Sequence, residues 1–265
     1  TEGWSQFKNI IEDGGEGSEF EIDGIRYSVG KDNTVTIISC DTKPTGDLVI
    51  PNEVEYKGTT YTVDAVGLSA LSDCTGIESV TISEGVTLID DRAFAGCSNL
   101  TSLKIPSSLE NIDDCAFEGC SKLTNVYISD LTAFLEIEFE VKEGLFSNPL
   151  FYAQHLFLDG EIRDIVIPNT VKKIKTNAFG GFKSLNSVTI PNSVTSIGAF
   201  AFMNCTSLAI VISEIEEPFV IDETVFSNIP SDATLIVPKD TKAKYQVTEG
   251  WSQFKNIIED GGEGS

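Results

Sequence analysis

Apolar residues recur along this chain at a spacing of about 23 residues, and this recurrence predicts its fold. Two stretches show the pattern, DRAFAGCSNLTSLKIPSSLENI from Asp91 and DCAFEGCSKLTNVYISDLTAFL from Asp114. The series at equivalent positions are Ile82, Ile105 and Ile128; Ile167, Ile190 and Ile212; Phe94, Phe117, Phe179 and Phe202; and Leu100, Leu123, Leu185 and Leu208. Each unit reads as a short strand, a turn and a compact Ala-Phe-x-x-Cys segment. One unit cannot bury its own apolar side chains, whereas stacked units bury one another, so the pattern predicts a solenoid.

The predicted architecture is a single right-handed α/β solenoid, with successive strands about 4.8 Å apart. We expect Phe94, Leu100, Leu103 and Ile105 to be buried together, with their equivalents stacked against them. The period breaks once, in an insert near residues 130–158. The apolar content of the insert predicts that it packs against the repeats.

The two ends differ from the repeats, as the caps of a solenoid must. Residues 19–64 predict an N-terminal β cap, because alternating segments are joined there by Asp-Gly and Lys-Gly hairpin turns. The repeats occupy 65–238, and residues 239–260 predict a helical C-terminal cap. Its apolar residues Tyr245, Trp251, Phe254, Ile257 and Ile258 recur at roughly helical spacing. Residues 261–265 are a Gly-rich linker.

The same eighteen residues, TEGWSQFKNIIEDGGEGS, occupy positions 1–18 and 248–265. The second copy is expected to close the last repeat. The first copy is interpreted as the tail of a preceding module in a tandem array, or as an engineered duplication. Its apolar residues Trp4, Phe7, Ile10 and Ile11 are expected to dock on the N-terminal hairpin of this chain or on a neighbouring molecule. Deleting residues 1–18 is expected to leave the stability nearly unchanged.

Composition narrows the classes of partner. Eighteen basic and 41 acidic residues give a net charge of −23, which repels nucleic acid and anionic membranes. No apolar run has the 18 or more residues of a membrane span, and no signal segment is present. We therefore expect neither nucleic-acid binding nor direct insertion into a membrane.

The phrases AFxGC, LxxLxIP and SLxxI at this period resemble the BspA-like leucine-rich repeat family of bacterial surface proteins. The resemblance runs from Glu19 through most of the chain, with Phe182 in place of the repeat Cys and Asp90 and Asp113 where the family often has Gly. It implies an exported leucine-rich repeat solenoid, extracellular or on the cell surface, that adheres to an extracellular protein or glycan without catalysis. A structural spacer in a tandem array and a carbohydrate-active enzyme remain the alternatives.

A ligand-binding face is predicted at the outward positions of the repeat strands, because solenoids commonly bind extended partners there. The candidate residues are Ser79, Thr81, Ser102, Lys104, Asn125, Tyr127, Asp164 and Thr189. A plain structural solenoid displays such a face too, and the insert is the rival binding region.

No catalytic residue and no cofactor are predicted. The chain has one histidine, His155, and it lacks the nucleotide-binding, serine-hydrolase and zinc-protease motifs. Glu136, Glu138 and Glu140 alternate as on the solvent face of a strand, although a pair of carboxylates is also the machinery of a glycosidase. The strand face is the favoured interpretation.

Two side-chain clusters raise the question of metals and disulfides. Asp90, Asp91, Asp113 and Asp114 recur on successive repeats, and a solvated edge is favoured over a calcium site. Cys74, Cys97, Cys120 and Cys205 share one repeat position, which predicts a buried column of reduced thiols. Stacked neighbours point in parallel, and a disulfide requires converging side chains. Cys40 and Cys115 lie off this column. Cys115 shares its repeat position with Arg92 and Asn177, so it is expected to be the most exposed thiol.

Overall fold

The structure, a computed structural model, describes residues 15–142 and 145–261. Its contacts divide the chain into two compact units, Thr1–Leu123 and Thr124–Ser265. Both units consist of β-solenoid coils with little helix, as described for each below. Within the described ranges, no helix combines the length and the apolar character needed to cross a membrane.

The first unit begins with two antiparallel hairpins and two further strands. Its first six strands are β1 (Glu19–Ile22), β2 (Ile25–Val29), β3 (Thr34–Cys40), β4 (Gly46–Ile50), β5 (Glu53–Tyr56) and β6 (Thr59–Val66). β1 pairs with β2, and β5 pairs with β6. The turn residues Asp23 and Gly24 have φ of 51° and 80°, as do Lys57 and Gly58, which is the conformation of the tight hairpin turn. Both predicted hairpins are confirmed.

Four further strands complete the two parallel sheets of the first unit. They are β7 (Ile77–Ile82), β8 (Leu88–Ile89), β9 (Ser102–Ile105) and β10 (Asn111–Ile112). One sheet runs β4-β7-β9, and the other runs β1-β2-β3-β6-β8-β10. In the registers of these sheets, Ser79 lies opposite Ser102 and Leu88 lies opposite Asn111.

The compact Ala-Phe-x-x-Cys segments are stacked turns, although an α/β solenoid was predicted. Two positions in each segment, four residues apart, have positive φ, as at Arg92 (53°) and Gly96 (73°), so a continuous helix cannot form. The segments are held to each other by backbone bonds: Phe94 N donates to Ala116 O at 2.9 Å. The positive φ favours glycine at position 96, and a Cβ there would require the side chain of Asp73 to move.

The core of the first unit lies between the two sheets and the stacked turns. Phe94, Leu100, Leu103 and Ile105 are at most 1% exposed, so their predicted burial is confirmed. The rings of Phe94 and Phe117 stack with centroids 5.6 Å apart and planes within 2°. The repeat therefore places one aromatic ring above the next, as its period predicts.

The second unit is built mainly on a five-stranded parallel sheet. Its elements are β11 (Asn125–Ile128), α1 (Leu131–Glu136), β12 (Glu138–Phe139), β13 (Val141–Lys142), β14 (Leu145–Phe146), a 3-10 turn (Pro149–Phe151), β15 (His155–Phe157), β16 (Glu161–Ile162), β17 (Asp164–Val166), β18 (Lys173–Ile174), β19 (Ser187–Ile190), β20 (Ser196–Ile197), β21 (Ile210–Ser213), β22 (Thr234–Val237), α2 (Lys242–Val247), a second 3-10 turn (Trp251–Gln253) and β23 (Asn256–Glu259). The main sheet runs β17-β19-β21-β22-β23. β11 pairs in parallel with β15, which pairs antiparallel with β16, and β18 pairs with β20.

The insert packs into the second unit and supplies strand β15. Its first part differs from the predicted strand LEIEFE, because residues up to Glu136 form helix α1. The helix begins where the carboxylate of Asp130 accepts a hydrogen bond from Ala133 N at 2.7 Å, which is an N-cap. Phe134 and Leu135 of this helix are buried.

The register of β21 differs from the prediction, which aligned Ile212 with Ile190. In the sheet, Ile190 lies opposite Ser213, and Ile212 lies opposite Thr189. The core position therefore belongs to Ser213, whose Oγ donates to the hydroxyl of Tyr245 at 2.6 Å. This buried hydrogen bond makes the polar side chain acceptable in the core and turns Ile212 outward.

The C-terminal segment has one α-helix, Lys242–Val247, followed by a 3-10 turn and a strand, whereas a helical cap was predicted. Gly250 has φ of 84°, and a Cβ there would meet the carbonyl of Ile221, so the chain turns sharply at this close approach. Strand β23 then pairs with β22 and adds a last rung to the sheet. Trp251, Phe254 and Ile257 are buried, as predicted.

The N-terminal copy of the tail is described only from Gly15 onward. Trp4, Phe7, Ile10 and Ile11 lie outside the described residues, so their docking stays a prediction. The end of the copy extends the first hairpin, because Gly17 N donates to Val29 O at 2.7 Å.

Candidate binding surface

In the first unit, the predicted ligand residues lie side by side on β7 and β9. Ser79 is opposite Ser102, and Thr81 is opposite Lys104. Ser79 Oγ donates to a carboxylate oxygen of Asp47 at 2.5 Å, so this serine already has a partner. Lys104 is exposed on the face. Their role in ligand binding stays a prediction.

In the second unit, Tyr127 lies in an aromatic stack that the sequence pattern did not reveal. β15 of the insert places His155 opposite Asn125 and Phe157 opposite Tyr127. The rings of Tyr127 and Phe157 stack with centroids 4.7 Å apart, and Tyr127 is 38% exposed. The insert and the repeat strand therefore form one surface, whereas they were predicted to be alternative binding regions.

A charged network borders this aromatic stack. The carboxylate of Glu161 accepts from His155 Nδ1 at 2.8 Å and from Arg163 Nε at 3.2 Å. A second bond, from Arg163 Nη2 to the other oxygen at 3.3 Å, makes the contact bidentate. The bonds from Arg163, followed by the bond from His155, lower the pKa of Glu161. Glu161 therefore presents a negative charge beside the rings at neutral pH.

The main sheet of the second unit carries an outward row of β-branched side chains. This β-branched stripe consists of Val166, Thr189, Ile212, Ile236 and Ile258, which lie opposite one another in register across the five strands. Val166 is 69% exposed and Ile258 is 42% exposed, and the other three are half-buried. The stripe contains Thr189 of the predicted face. The sequence did carry a signal for it, since Ile212 follows Thr189 by 23 residues.

The polar row beside the stripe is largely occupied by its own hydrogen bonds. Asp164, a predicted ligand residue, accepts from Ser187 Oγ at 2.6 Å. Asn256 Nδ2 donates to Thr234 Oγ1 at 2.7 Å further along the same row. The aliphatic side chains of the β-branched stripe make no such hydrogen bonds. Their exposure to water is therefore the unfavourable feature of this face that a binding partner could remove.

The acidic candidates cluster only in part. Ligand atoms of Asp90, Asp91 and Asp113 lie within 4.8 Å of one another, and Asp114 is not in the group. The carboxylates also bind the backbone: Asp91 Oδ1 accepts from Asp114 N at 2.9 Å, and Asp90 Oδ1 accepts from Asp91 N at 2.7 Å. These bonds give the cluster a structural role at the turn.

The thiol column is buried and regularly hydrogen-bonded. Cys97 donates to Leu71 O at 3.3 Å, Cys120 donates to Phe94 O at 3.3 Å, and Cys205 donates to Phe179 O at 3.2 Å. Burial raises the pKa of Cys97 to about 11 and that of Cys120 to about 12. All six cysteines fall inside the described ranges and are free thiols.

The predicted exposure of Cys115 is wrong, because this residue is only 2% exposed. The repeat position itself is covered, since Asn177 at the same position is also fully buried. Arg92 is exposed there because its long side chain reaches outward to Glu118, 3.7 Å from Arg92 Nε. Burial, with the hydrogen bond to Asp114 second, raises the pKa of Cys115 to about 11.

The carboxylates considered for a glycosidase engage a lysine. Lys175 Nζ lies 2.8 Å from Glu138 Oε1 and 3.6 Å from Glu136 Oε2, and it donates to Glu136 O at 2.6 Å. One lysine therefore engages both of these glutamates. This arrangement gives no support to the enzyme alternative.

Comparison with known proteins gives a family match and several structural similarities. The model of the BspA type leucine-rich repeat region matches residues 53–145 and 153–250, in six copies. No curated protein matches the sequence. A leucine-rich repeat protein of T. pallidum is 20% identical, with a TM-score of 0.40 over 92% of this chain and 84% of that chain. One from Bacteroides capillosus is 22% identical, with a TM-score of 0.43 over 54% of this chain and 99% of that chain. A leucine-rich cell surface protein of Faecalibacterium prausnitzii is 18% identical, with a TM-score of 0.29 over 95% and 97%.

Proposed function

The chain belongs to the BspA-type leucine-rich repeat family, and we propose that it is a secreted or cell-surface module that binds an extracellular protein without catalysis. The observation that carries the proposal is the β-branched stripe on the main sheet of the second unit. Its end residues, Val166 and Ile258, are 69% and 42% exposed. Exposed apolar rows of this kind are typical of interaction sites. Export is what the family resemblance implies.

The chemistry of the surface favours a protein partner over a glycan. Aliphatic side chains gain free energy by removing other apolar groups from water, and a protein surface offers such groups in abundance. Hydroxyl-rich sugars require unpaired polar partners, whereas Asp164 and Thr234 beside the stripe already bond to neighbours. The net charge of −23 further favours a neutral or basic partner.

The aromatic stack of Tyr127 and Phe157 supplies a second anchor on the same unit. Tyrosine and arginine are enriched among the residues that contribute most to protein–protein affinity. Tyr127 is 38% exposed, and Arg163 belongs to the charged network beside the stack. We therefore expect Tyr127→Ala to weaken binding of the same partner.

The experiment measures binding of the full chain to a panel of purified extracellular matrix proteins and, in parallel, to a glycan array. The test variant carries Val166→Ser and Ile258→Ser. The matched control carries Val220→Ser and Val247→Ser, two apolar residues that are 65% and 83% exposed outside the stripe. Loss of the stripe contacts is expected to lower the affinity for a matrix protein at least tenfold, and the control is expected to match the wild type.

Two results would overturn the proposal. Binding to glycans alone, equal in both variants, would assign the module to carbohydrate recognition elsewhere on its surface. No binding on either panel would favour the structural spacer.

A further inference from the structure

Two cysteines of the first unit lie close enough to react with each other. Cys40 ends β3 in the N-terminal cap and is half-buried, and Cys74 is buried in the first stacked turn. Their Sγ atoms are 3.2 Å apart, although 34 positions separate them in the sequence. Lys43 Nζ donates to Asp73 O at 2.7 Å, which fastens the loop after Cys40 to the residue before Cys74. The two thiols are thus brought together by the docking of the cap on the first turn.

Cys74 differs from the other column thiols in its partner. Cys97 and Cys120 each donate to a carbonyl oxygen of the preceding coil at 3.3 Å. Cys74 instead donates to the carbonyl oxygen of Ser72 in its own turn, at a long 3.8 Å. The closest hydrogen-bonding partner of the Cys74 thiol is therefore the thiol of Cys40, at 3.2 Å.

The approach of Cys40 also differs from that of stacked neighbours. Side chains at equivalent positions of successive coils are expected to point in parallel, and a disulfide requires converging side chains. Cys40 arrives from a strand of the cap, and its sulfur already lies within about 1.2 Å of bonding distance, since an S–S bond is about 2.05 Å long.

We propose that Cys40 and Cys74 form a site of covalent modification, in which a small-molecule disulfide such as oxidised glutathione oxidises them to a disulfide joining the cap to the first repeat. The more accessible Cys40 thiolate attacks the external disulfide, forms a mixed disulfide and releases one thiolate of the reagent. Cys74 then loses its proton to solvent and attacks Cys40 Sγ, which expels the second thiolate. Two protein thiols are oxidised, and one molecule of reagent is reduced to two thiols.

The second step has a distinctive dependence on pH. Burial, with the neighbouring Cys40 second, raises the pKa of Cys74 to about 12. Burial of Cys74 persists when Cys40 carries the mixed disulfide, so the thiolate fraction, and with it the rate of ring closure, rises about tenfold per pH unit while Cys74 remains mostly protonated. A mixed disulfide on Cys40 is accordingly expected to be visible as a transient at pH 7 and to be short-lived at pH 9.

The experiment treats the reduced full chain with oxidised glutathione at pH 8.5 and counts thiols after denaturation. We expect six free thiols to fall to four, and non-reducing peptide mapping to join the Cys40 peptide to the Cys74 peptide. The Cys74→Ser variant is expected to form a stable glutathione adduct on Cys40 and to react no further. The Cys40→Ser variant is expected to keep all of its remaining thiols. Cys115→Ser, a buried thiol outside the pair, is the matched control and is expected to form the same disulfide as the wild type.

A stability measurement accompanies the chemistry. The disulfide closes a loop across the cap, so the oxidised protein is expected to melt several degrees higher than the reduced protein, and a reductant is expected to abolish the difference. A stable glutathione adduct on Cys40 of the wild type, with no second thiol consumed at pH 8.5 or 9, would overturn the proposal. A disulfide from Cys74 to Cys97 would overturn it equally.

Discussion

Replacing Trp251 by alanine is expected to lower the free energy of unfolding by about 3–5 kcal/mol. Trp251 is fully buried in the last coil, where it contacts Phe226 and Tyr245 with ring centroids 5.7 Å and 5.2 Å away. A buried tryptophan removes about 150–250 Å² from water, which at about 25 cal/mol per Å² corresponds to about 4–6 kcal/mol. The alanine retains a small part of that burial. The lost hydrogen bond from Trp251 Nε1 to Phe219 O, at 2.9 Å, acts in the same direction.

The assay is urea denaturation followed by far-UV circular dichroism, with two controls. Trp251→Phe keeps a large ring and loses the N–H group, so we expect a loss of about 1–2 kcal/mol. Trp4→Ala is the same substitution in the identical sequence, and we expect almost no loss because this copy lies before the first strand of the cap, where it has no last repeat to close. A loss below about 1 kcal/mol for Trp251→Ala, or equal losses at both positions, would refute the reasoning.

Three further predictions concern buried groups and the acidic cluster. Tyr245→Phe is expected to destabilise the protein by about 1–3 kcal/mol in the same urea assay, because Ser213 Oγ and Ile215 O lose their hydrogen bonds to the Tyr245 hydroxyl. An unchanged stability would contradict the register of β21. The folded protein holds the proton of Cys120 up to about pH 12, whereas the unfolded chain releases it near pH 9, so stability is expected to fall as pH rises between these values. By pH 10.5 this thiol is expected to have lowered the free energy of unfolding by about 2 kcal/mol, so Cys120→Ala should make the decline with pH less steep. Equal slopes for the variant and the wild type would argue against a buried thiol. Chelation of divalent cations is expected to leave the melting temperature unchanged, because Asp91 caps a backbone N–H, and a drop of several degrees would reinstate a calcium site.

Features encoded by short stretches of sequence were predictable. The hairpins follow from Asp23-Gly24 and Lys57-Gly58, whose residue types suit the positive φ that the turns require. The burial of Phe94 and its equivalents follows from the period alone. Each of these inferences depends on residues that are neighbours in the chain or repeat at a fixed interval.

Thr189 of the stripe was predicted to face outward, but Ile212 was placed in the core because the register of β21 depends on a distant contact. The stretch IVIS that forms β21 has apolar residues on both faces, so residue type alone favoured Ile212 for the core. The hydrogen bond between Ser213 and Tyr245, 32 positions apart, makes the other face the inner one. The 23-residue spacing from Thr189 to Ile212 indicated this register, and the 22-residue spacing from Ile190 to Ile212 was followed instead.

The aromatic stack and the environment of the off-column thiols were missed for related reasons. Phe157 lies in the insert, where the period fails, and only strand pairing places it opposite Tyr127. The charged residue Arg92 led to the prediction that its repeat position, and therefore Cys115, is exposed. The exposure of Arg92 comes from the length of its side chain and not from the position of the backbone. Cys40 meets Cys74 through the packing of the cap, which has no repeat to predict it.

Thiol labelling of two adjacent substitutions tests the central claim, that the β-branched stripe faces solvent. Val211 is fully buried and Ile212 is half-buried on the opposite face of β21. In a Cys40→Ser background, Ile212→Cys is expected to react with a thiol reagent in the native protein, and Val211→Cys only after denaturation. Labelling of Val211→Cys with protection of Ile212→Cys would place the stripe in the core and remove the basis of the proposed binding surface.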